Sequence, residues 1–215
     1  MNERPLNRGA EKTRRNCHYH HGDLRNALLS AAMELIEAGG IENVSMREIA
    51  KMTGVSPAAP FRHFPTRTAL LTAVAEEAMD RFVACIEASM HECVENDPLQ
   101  QFRAIGVGFL RWAIANPTHF QVISARSAID FENSTLRRRN DAIRTRMSEL
   151  MQEAARRKLL RPGDLGRYQL AARAMVYGLA RMYLDGQFSS WDLDETKALE
   201  ESVAILDQYI SSISA

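Results

Sequence analysis

Residues 44–71 have the sequence VSMREIAKMTGVSPAAPFRHFPTRTALL, which predicts two short helices, a tight turn and the start of a longer helix. Ser45 and Glu48 form the S-x-x-E pattern of a capping box, in which each side chain accepts a hydrogen bond from the other residue's backbone N–H. Gly54 supplies the turn, because a residue without Cβ adopts a positive φ at little cost. This pattern is typical of a helix-turn-helix, whose second helix enters the DNA major groove.

The second short helix contains a conflict at Pro60. Ser56 is the expected N-cap, with Pro57 at the first helical position, where the missing N–H is tolerated. Pro60 would then lose a backbone hydrogen bond, so we expect the helix to start late or to open with a looser turn. Phe61 and Phe64 are three residues apart and are expected to face the core.

Helical patterns continue on both sides of this segment. Asp23 is the expected cap of an amphipathic helix that ends at Gly39-Gly40. A long helix should run from Thr66 to about Val94, before the sequence Asn96-Asp97-Pro98 stops it. Strand-like alternation is absent, so the predicted fold class is all-α. A further helix is predicted after Pro98 and is closed by Asn116-Pro117, and the remaining predicted helices cover residues 119–128, 136–158, 164–186 and 195–213.

The composition is that of an ordinary globular protein, with 46% hydrophobic and 25% charged residues in a chain of 215. The formal net charge is zero. Residues 1–70 nevertheless carry 10 Lys and Arg against 7 Asp and Glu, whereas the remainder has 17 against 20. This asymmetry fits a basic DNA-binding head on an acidic body, although ordinary variation along a chain also produces such differences.

The three cysteines, Cys17, Cys85 and Cys93, form no C-x-x-C pair. With no signal peptide and no long apolar run, they predict a reduced, cytoplasmic protein that does not enter a membrane. Buried structural cysteines are the expectation, and a redox-sensing thiol is the alternative. The chain has no glycine-rich phosphate loop, zinc-ligand spacing or catalytic-serine motif, so nothing in it argues for an enzyme, a cofactor or a metal site.

The sequence GVSPAAPFRHFPTRTALL, residues 54–71, resembles the TetR family pattern G-V-S-x-x-x-L-Y-x-H-F-x-x-K-x-x-L. The resemblance covers residues 22–71, because L-x-x-A-A-x-E-L-I and VSMREIA are similar to the family's first two helices. Phe61 stands at the family's phosphate-contacting tyrosine and Arg67 at its lysine. The segments WAIANP and VYGLA resemble the ligand-domain segments of one subgroup, with Tyr177 at the usual histidine.

The resemblance implies a dimeric transcriptional regulator, most often a repressor that binds a palindromic DNA operator and is released by a small-molecule effector. The predicted organisation is a basic arm at residues 1–21, a helix-turn-helix domain at 22–66 and a helical ligand-binding and dimerisation domain at 67–215. The arm either follows the DNA backbone or is a solvated tail. Two alternatives remain open for the whole chain: a regulator whose body binds protein partners, and a helical enzyme or carrier with a vestigial head.

The chemistry of the head assigns base recognition first to Arg62, which can bind guanine O6 and N7. Arg62 and His63 are expected to face partly outward. Ala58 and Ala59 are small enough to lie near thymine methyl groups, and Ser56 and His63 can bond to bases or phosphates. Phosphate contacts are expected from Ser45, Arg47, Arg67 and Thr68, helped by helix N-termini.

The body is expected to enclose a largely apolar effector pocket, with polar anchors among Tyr177, His119, Arg126 and Arg173. For each residue alone, ordinary core packing is the simpler interpretation. The candidate lining residues are Phe102, Phe109, Trp112, His119, Arg126, Met147, Met151, Met175 and Tyr177.

The helix predicted at 164–186 is apolar on nearly every side, because only Arg173 and Arg181 are charged between Leu170 and Leu184. Such a helix must be covered on several sides. Together with the last helix it is the candidate dimer interface, in an isologous four-helix bundle. The alternative is burial within one subunit.

Overall fold

A computed structural model describes residues 21–93 and 97–215. In these ranges the chain is helical, and its only β pairing is an isolated antiparallel bridge between Leu160 and Ser214. The all-α prediction is confirmed, whereas the basic arm lies outside the described residues except at residue 21. The helices are α1 (His21–Gly39), α2 (Met46–Met52), α3 (Ala59–His63), α4 (Arg67–His91), α5 (Pro98–Ala115), α6 (Pro117–Ser124), α7 (Thr135–Arg156), α8 (Leu165–Leu184) and α9 (Ala198–Ile213).

Helices α1, α2 and α3 pack with the start of α4 into a small head. Its apolar core includes Leu28, Ile49, Phe64 and Leu71, each at most 3% exposed. Gly54 lies between α2 and α3 with a φ of 69°, and its N–H donates to the Lys51 carbonyl at 3.2 Å. The observed geometry is therefore the helix-turn-helix that the glycine predicted.

The predicted capping of α1 and α2 is wrong. Ser45 does occupy the N-cap position of α2, but its hydroxyl makes no capping hydrogen bond. Glu48 instead forms an ion pair with Lys51 at 3.2 Å, one turn along the same helix. The first helix begins at His21, so Asp23 lies within α1 and does not precede it.

Helix α3 starts late, with Ala58 at the N-cap and Ala59 at the first helical position. The predicted cap at Ser56 is therefore wrong, and Pro60 takes a first-turn position where no helical hydrogen bond is lost. The buried face of this short helix is formed by Pro60, and Phe64, which directly follows the last helical residue, is buried as well. Phe61 is one position away from that face and is 49% exposed, so its predicted core position is also wrong.

Helix α4 joins the head to the body. The Thr66 Oγ1 caps it by accepting a hydrogen bond from the Ala69 N–H at 3.0 Å. Its first half contributes to the head core, and Ile86 in its second half belongs to the body core. The head core also includes Val122 of α6 and Leu136 of α7, so packed side chains hold the head against the body.

Helix α5 lies at the centre of the body and contacts α4, α6, α7, α8 and α9. The Asp97 carboxylate caps it by accepting from the Leu99 N–H at 2.8 Å. The other predicted helices are confirmed with shifted ends. Helix α6 ends at Ser124 and not near 128, and residues 195–197 form a short 3-10 turn before α9. Cys85 and Cys93 are half-buried free thiols.

At Gly108 the backbone of α5 lies directly against the backbone of α4. A Cβ at this position would lie 2.8 Å from the Ile86 Cα and 2.9 Å from the Cys85 carbonyl oxygen. We expect Gly108→Ala to lower the free energy of unfolding by about 2 kcal/mol, because the two helices must move apart. Gly106→Ala on the same helix should destabilise the protein less. The atom nearest to its added Cβ is the flexible end of the Leu206 side chain, which can move away. Chemical denaturation measures both, and an unchanged midpoint for Gly108→Ala would contradict the close contact.

Candidate DNA-binding surface and effector cavity

Helix α3 presents the predicted base reader to solvent. Arg62 is exposed and makes no ion pair or hydrogen bond with any described residue. Phe61 is exposed beside it, His63 is half-buried, and Ala58 is exposed just before the helix. An unpaired guanidinium keeps its donors available for a base edge, so this surface has the chemistry that major-groove contact requires.

Most arginines of the body differ from Arg62 in this respect. Arg103, for example, pairs with Asp207, and Arg111 pairs with Glu92 at 2.7 Å. Arg47 of α2 resembles Arg62, because it too is exposed and has no ion-pair partner among the described residues. Arg47 and Arg62 are therefore exposed cations without a described ion-pair partner on α2 and α3, whereas Arg25 of α1 lies over the ring of Phe64.

The N-termini of α2 and α4 are tied together by Arg67. The Arg67 Nε donates to the Val44 carbonyl at 2.9 Å, and an Nη donates to the Ile41 carbonyl. These contacts place the first turn of α4 beside the first turn of α2, where Ser45 and Thr68 are both exposed. Backbone N–H groups at helix N-termini bind phosphate, so the two turns form a candidate phosphate site. The positioning contacts of Arg67 were not evident from the sequence.

A cavity of about 540 Å³ lies between α5, α7 and α8. Leu170 and Thr145 are exposed and lie at its rim. Its volume is in the range of small-molecule sites, and apolar side chains form most of its walls. Those apolar residues are Phe82, Phe102, Ile105, Phe109, Ile143, Met147, Leu170, Ala172, Val176 and Leu206.

A second, smaller cavity of about 230 Å³ adjoins the first. The two share Phe82, Phe109, Asn140 and Arg173 as wall residues. The smaller cavity extends from these residues towards α4 and α6. Its other lining residues are Met79, Trp112, Phe120, Ile123, Ser124, Arg126 and Tyr177.

The head and the body each match a family of known proteins. Residues 28–74 match the bacterial regulatory proteins of the tetR family, and residues 102–206 match a tetracyclin repressor-like C-terminal domain. The chain belongs to the TetR family. It is a DNA-binding transcriptional regulator and not an enzyme. No helix in residues 21–93 and 97–215 is long and apolar enough to cross a bilayer.

Curated relatives of this TetR regulator include two nucleoid occlusion factors named SlmA. The protein from Vibrio cholerae serotype O1 is 29% identical over 140 residues, which are 65% of this chain and 70% of the relative. The protein from Klebsiella pneumoniae strain 342 is 24% identical over 176 residues, which are 80% of this chain and 87% of the relative.

Solved structures share the same fold. A Rhodococcus sp. RHA1 protein of unknown function superposes with a TM-score of 0.74 at 29% identity, over 93% of this chain and 100% of that one. The TetR regulator PfmR from Thermus thermophilus superposes with a TM-score of 0.65 at 21% identity, over 86% of this chain and 97% of that one. The second similarity shows the fold alone.

The cavities of this TetR regulator bring together six of the nine predicted ligand residues. Phe102, Phe109 and Met147 line the larger cavity, and Phe109, Trp112, Arg126 and Tyr177 line the smaller one. The other three, His119, Met151 and Met175, line neither cavity.

Asn140 lines both cavities and was not anticipated from the sequence. It lies between Leu136 and Ile143 on the apolar side of α7. A polar residue at such a position is the feature of the sequence that could have indicated a cavity. By contrast, Met151 is a packed core residue at 1% exposure and lines neither cavity.

His119 on α6 is half-buried, and its Nε2 has no hydrogen-bond partner among the described residues. Burial lowers the pKa of His119 from 6.5, and the charge of Arg81 lowers it further, against an opposing effect of Glu77. As the pH falls below about 6.5, the unfolded chain therefore takes up a proton before the folded chain does. The contribution of neutral His119 to stability is present above that pH and is lost as the pH falls towards the lowered folded pKa.

We accordingly expect His119→Gln to reduce the loss of stability between pH 7.5 and pH 5.5, because glutamine cannot be protonated. Urea denaturation at several pH values measures the effect. His91→Gln is the matched control, since His91 is exposed at the end of α4. If both variants had the pH dependence of the unmodified protein, burial of a neutral His119 would not be the cause.

Helix α8 has one side that the described chain leaves open. Its fully buried residues are Ala172, Val176 and Ala180, whereas Leu170 is 68% exposed. The predicted cover on several sides is therefore not supplied by the described part of a single chain. We define the open face as the exposed residues Arg167, Leu170, Ala171, Ala174 and Arg181 of α8 together with Glu200, Ala204, Gln208 and Ser211 of α9.

Proposed function

We propose that this TetR regulator is a dimeric repressor that binds a palindromic operator and is released when a small molecule occupies its body. The observation that carries the DNA contact is the exposed, unpaired Arg62 on a short helix of the helix-turn-helix. Arg62 would bind guanine in the major groove, the commonest specific contact between proteins and DNA. Ala58 and the exposed Phe61 would lie against thymine methyl groups beside it.

Phosphate contacts would fix the head on the duplex. Arg47 is exposed and unpaired, and the hydroxyl of Ser45 is not used for capping. Thr68 is exposed in the first turn of α4, close to the N-terminus of α2 that Arg67 holds in place. Such contacts position a protein without reading sequence, so base specificity would depend on α3.

The open face of α8 and α9 supports dimerisation. Alanines along α8 allow another helix to approach closely, and an exposed leucine in water is unfavourable unless something covers it. A second copy of the same face would cover it in an isologous four-helix arrangement. Two heads on one dimer could then occupy successive major grooves, roughly 34–36 Å apart.

The walls of the smaller cavity support a route from the effector to the head. Phe120 and Ile123 of α6 line it, while Val122 between them packs into the head core. Phe82 of α4 also lines it, and α4 continues into the head. A ligand that prefers a different placement of α4 and α6 would change the separation of the two heads and weaken operator binding.

A second candidate function keeps the DNA-binding head but assigns the body to protein partners. The curated relatives are named nucleoid occlusion factors, and that name refers to a role at the nucleoid. The two adjoining cavities favour the effector proposal, because their volumes and largely apolar walls suit a small molecule. A screen in which no small molecule raises the melting temperature would favour the second candidate.

The proposal is tested by selecting duplexes from a random pool with the purified protein at moderate salt. We expect the selected sequences to share an inverted repeat whose half-sites are about one helical turn apart. Enrichment of sequences without any inverted repeat would contradict a symmetric dimer on DNA. Retention of all sequences alike would indicate phosphate contact only.

A further inference from the structure

Arg173 is an unpaired cation inside the body. Its guanidinium lies 4.8 Å from the ring centre of Phe109 and 5.1 Å from that of Tyr177, at the boundary of the two cavities. Its Nη1 is buried and has no hydrogen-bond partner among the described residues. Burial is the main cause that lowers the pKa of Arg173, Tyr177 has an opposing effect, and the nearby Arg126 lowers the pKa further.

Arg173 lacks a hydrogen-bond acceptor of negative charge in the described part of the chain. Aromatic faces attract the positive charge, but they accept few of the five N–H donors of a guanidinium. A buried charge without a partner is costly, and proteins usually place a carboxylate beside it. No aspartate or glutamate is among the described residues that line either cavity.

Other donors surround the same smaller cavity. Trp112 is 1% exposed, and its Nε1–H has no hydrogen-bond partner among the described residues. Asn140 contributes an amide, and Arg126 contributes a second guanidinium at the exposed edge. The Arg126 guanidinium stacks on Phe131 and forms no ion pair within 4 Å among the described residues, and the charge of Glu132 acts on it from farther away. Hydrogen-bond donors from α5, α7, α8 and the segment after α6 therefore line the smaller cavity, and no described carboxylate lines it.

The larger cavity complements this donor set. It adjoins the smaller cavity at Arg173, and most of its wall is apolar. At about 540 Å³ it has room for an aliphatic or aromatic body of moderate size. A molecule that fills both cavities must therefore be apolar along most of its length and negatively charged at one end.

We infer that the effector is an amphipathic anion whose carboxylate binds Arg173, with help from the Trp112 N–H, and whose apolar body occupies the larger cavity. This inference rests on the proposed effector cavity and specifies the class of its ligand. A carboxylate matches the planar fork of a guanidinium with two parallel hydrogen bonds, which an alcohol or an amide cannot provide.

Linear carboxylates of about six to sixteen carbons suit a cavity of this volume, and each is compared with the alcohol of the same chain length. Binding is measured by isothermal titration calorimetry below the concentration at which the probes form micelles, in the absence of DNA. We expect at least one carboxylate to bind about ten times or more tightly than its matched alcohol. If every alcohol binds as tightly as its carboxylate, the inference is overturned.

Two variants locate the anionic end. Arg173→Met should weaken binding of the best carboxylate about tenfold or more and change binding of its alcohol less than about twofold, because methionine keeps the length and apolar surface of the side chain. Arg144→Met is the matched control, since Arg144 lines the larger cavity but is exposed and lies near Asp141. Equal losses in the two variants, or no loss in Arg173→Met, would overturn the assignment to Arg173.

Operator binding without any probe separates this inference from the proposed function. We expect Arg173→Met to bind operator DNA like the unmodified protein, which also shows that the variant is folded. If the protein bound no operator but still preferred carboxylates through Arg173, the repressor proposal would fail and the ligand class would stand. If the protein bound an operator but showed no preference for carboxylates, the ligand class would fail and the repressor proposal would stand.

Discussion

Ala174→Arg is expected to convert the protein to a monomer and to weaken binding to a palindromic operator by at least about a hundredfold. Ala174 is exposed on the open face of α8, in line with Ala171 and Arg181. In an isologous interface each substituted helix faces a second copy of itself, so two long cations would replace two small apolar residues. Binding of the second head would then no longer be intramolecular, and its contribution to operator affinity would be lost.

The matched control is Ala155→Arg, because Ala155 is an exposed alanine of α7 outside the open face. Light scattering after size-exclusion chromatography gives the mass of each variant, and fluorescence anisotropy gives its affinity for operator DNA. We expect Ala155→Arg to remain a dimer with unchanged affinity. A monomeric Ala174→Arg variant with full affinity would show that dimerisation does not support DNA binding. A dimeric one would exclude the open face as the interface.

Arg62→Ala is expected to weaken operator binding by about a hundredfold or more. A bidentate contact to guanine contributes about 1–3 kcal/mol, and a dimer makes two such contacts. Binding to unrelated DNA should change little, because phosphate contacts dominate that term. The preference for operator over unrelated DNA should therefore fall by nearly the same factor as the affinity.

Arg47→Ala distinguishes base recognition from general loss of charge. Arg47 is exposed and unpaired like Arg62 but lies on α2. Its removal should weaken binding to all sequences alike and reduce the dependence of affinity on salt. Anisotropy titrations at several salt concentrations measure both effects. If Arg62→Ala behaved like Arg47→Ala, Arg62 would be a phosphate contact and base recognition would lie elsewhere.

The helices could be predicted well because their ends are set by neighbouring residues. Thr66, Asp97 and Asp164 all cap the helices that follow them, and each is a side chain whose capping chemistry is visible in the sequence. The capping box at Ser45 failed, since the Ser45 hydroxyl makes no capping hydrogen bond and the Glu48 carboxylate pairs with Lys51. The prediction that Phe61 faces the core failed because the direction of its side chain depends on where α3 begins, and packing around Pro60 decides that position.

The functional surfaces were only partly predictable. The exposure of Arg62 could be predicted from the helix-turn-helix pattern, and its role in base recognition stays a prediction. Helical periodicity also selected the apolar side of each body helix, but it does not say which neighbour that side meets, so Met151 was assigned to a pocket that it does not line. The missing partner of Arg173 depends on residues that are brought together only by folding. No local pattern in the sequence could have revealed it.

The central claim is that the chain recognises DNA as a symmetric pair of helix-turn-helix heads. The most direct test is the mass of the complex between the protein and a selected operator, measured at a salt concentration where binding to unrelated DNA is lost. We expect two chains on each inverted repeat, and no stable complex when one half-site is scrambled. One chain per operator, or a complex that survives scrambling of a half-site, would contradict the claim.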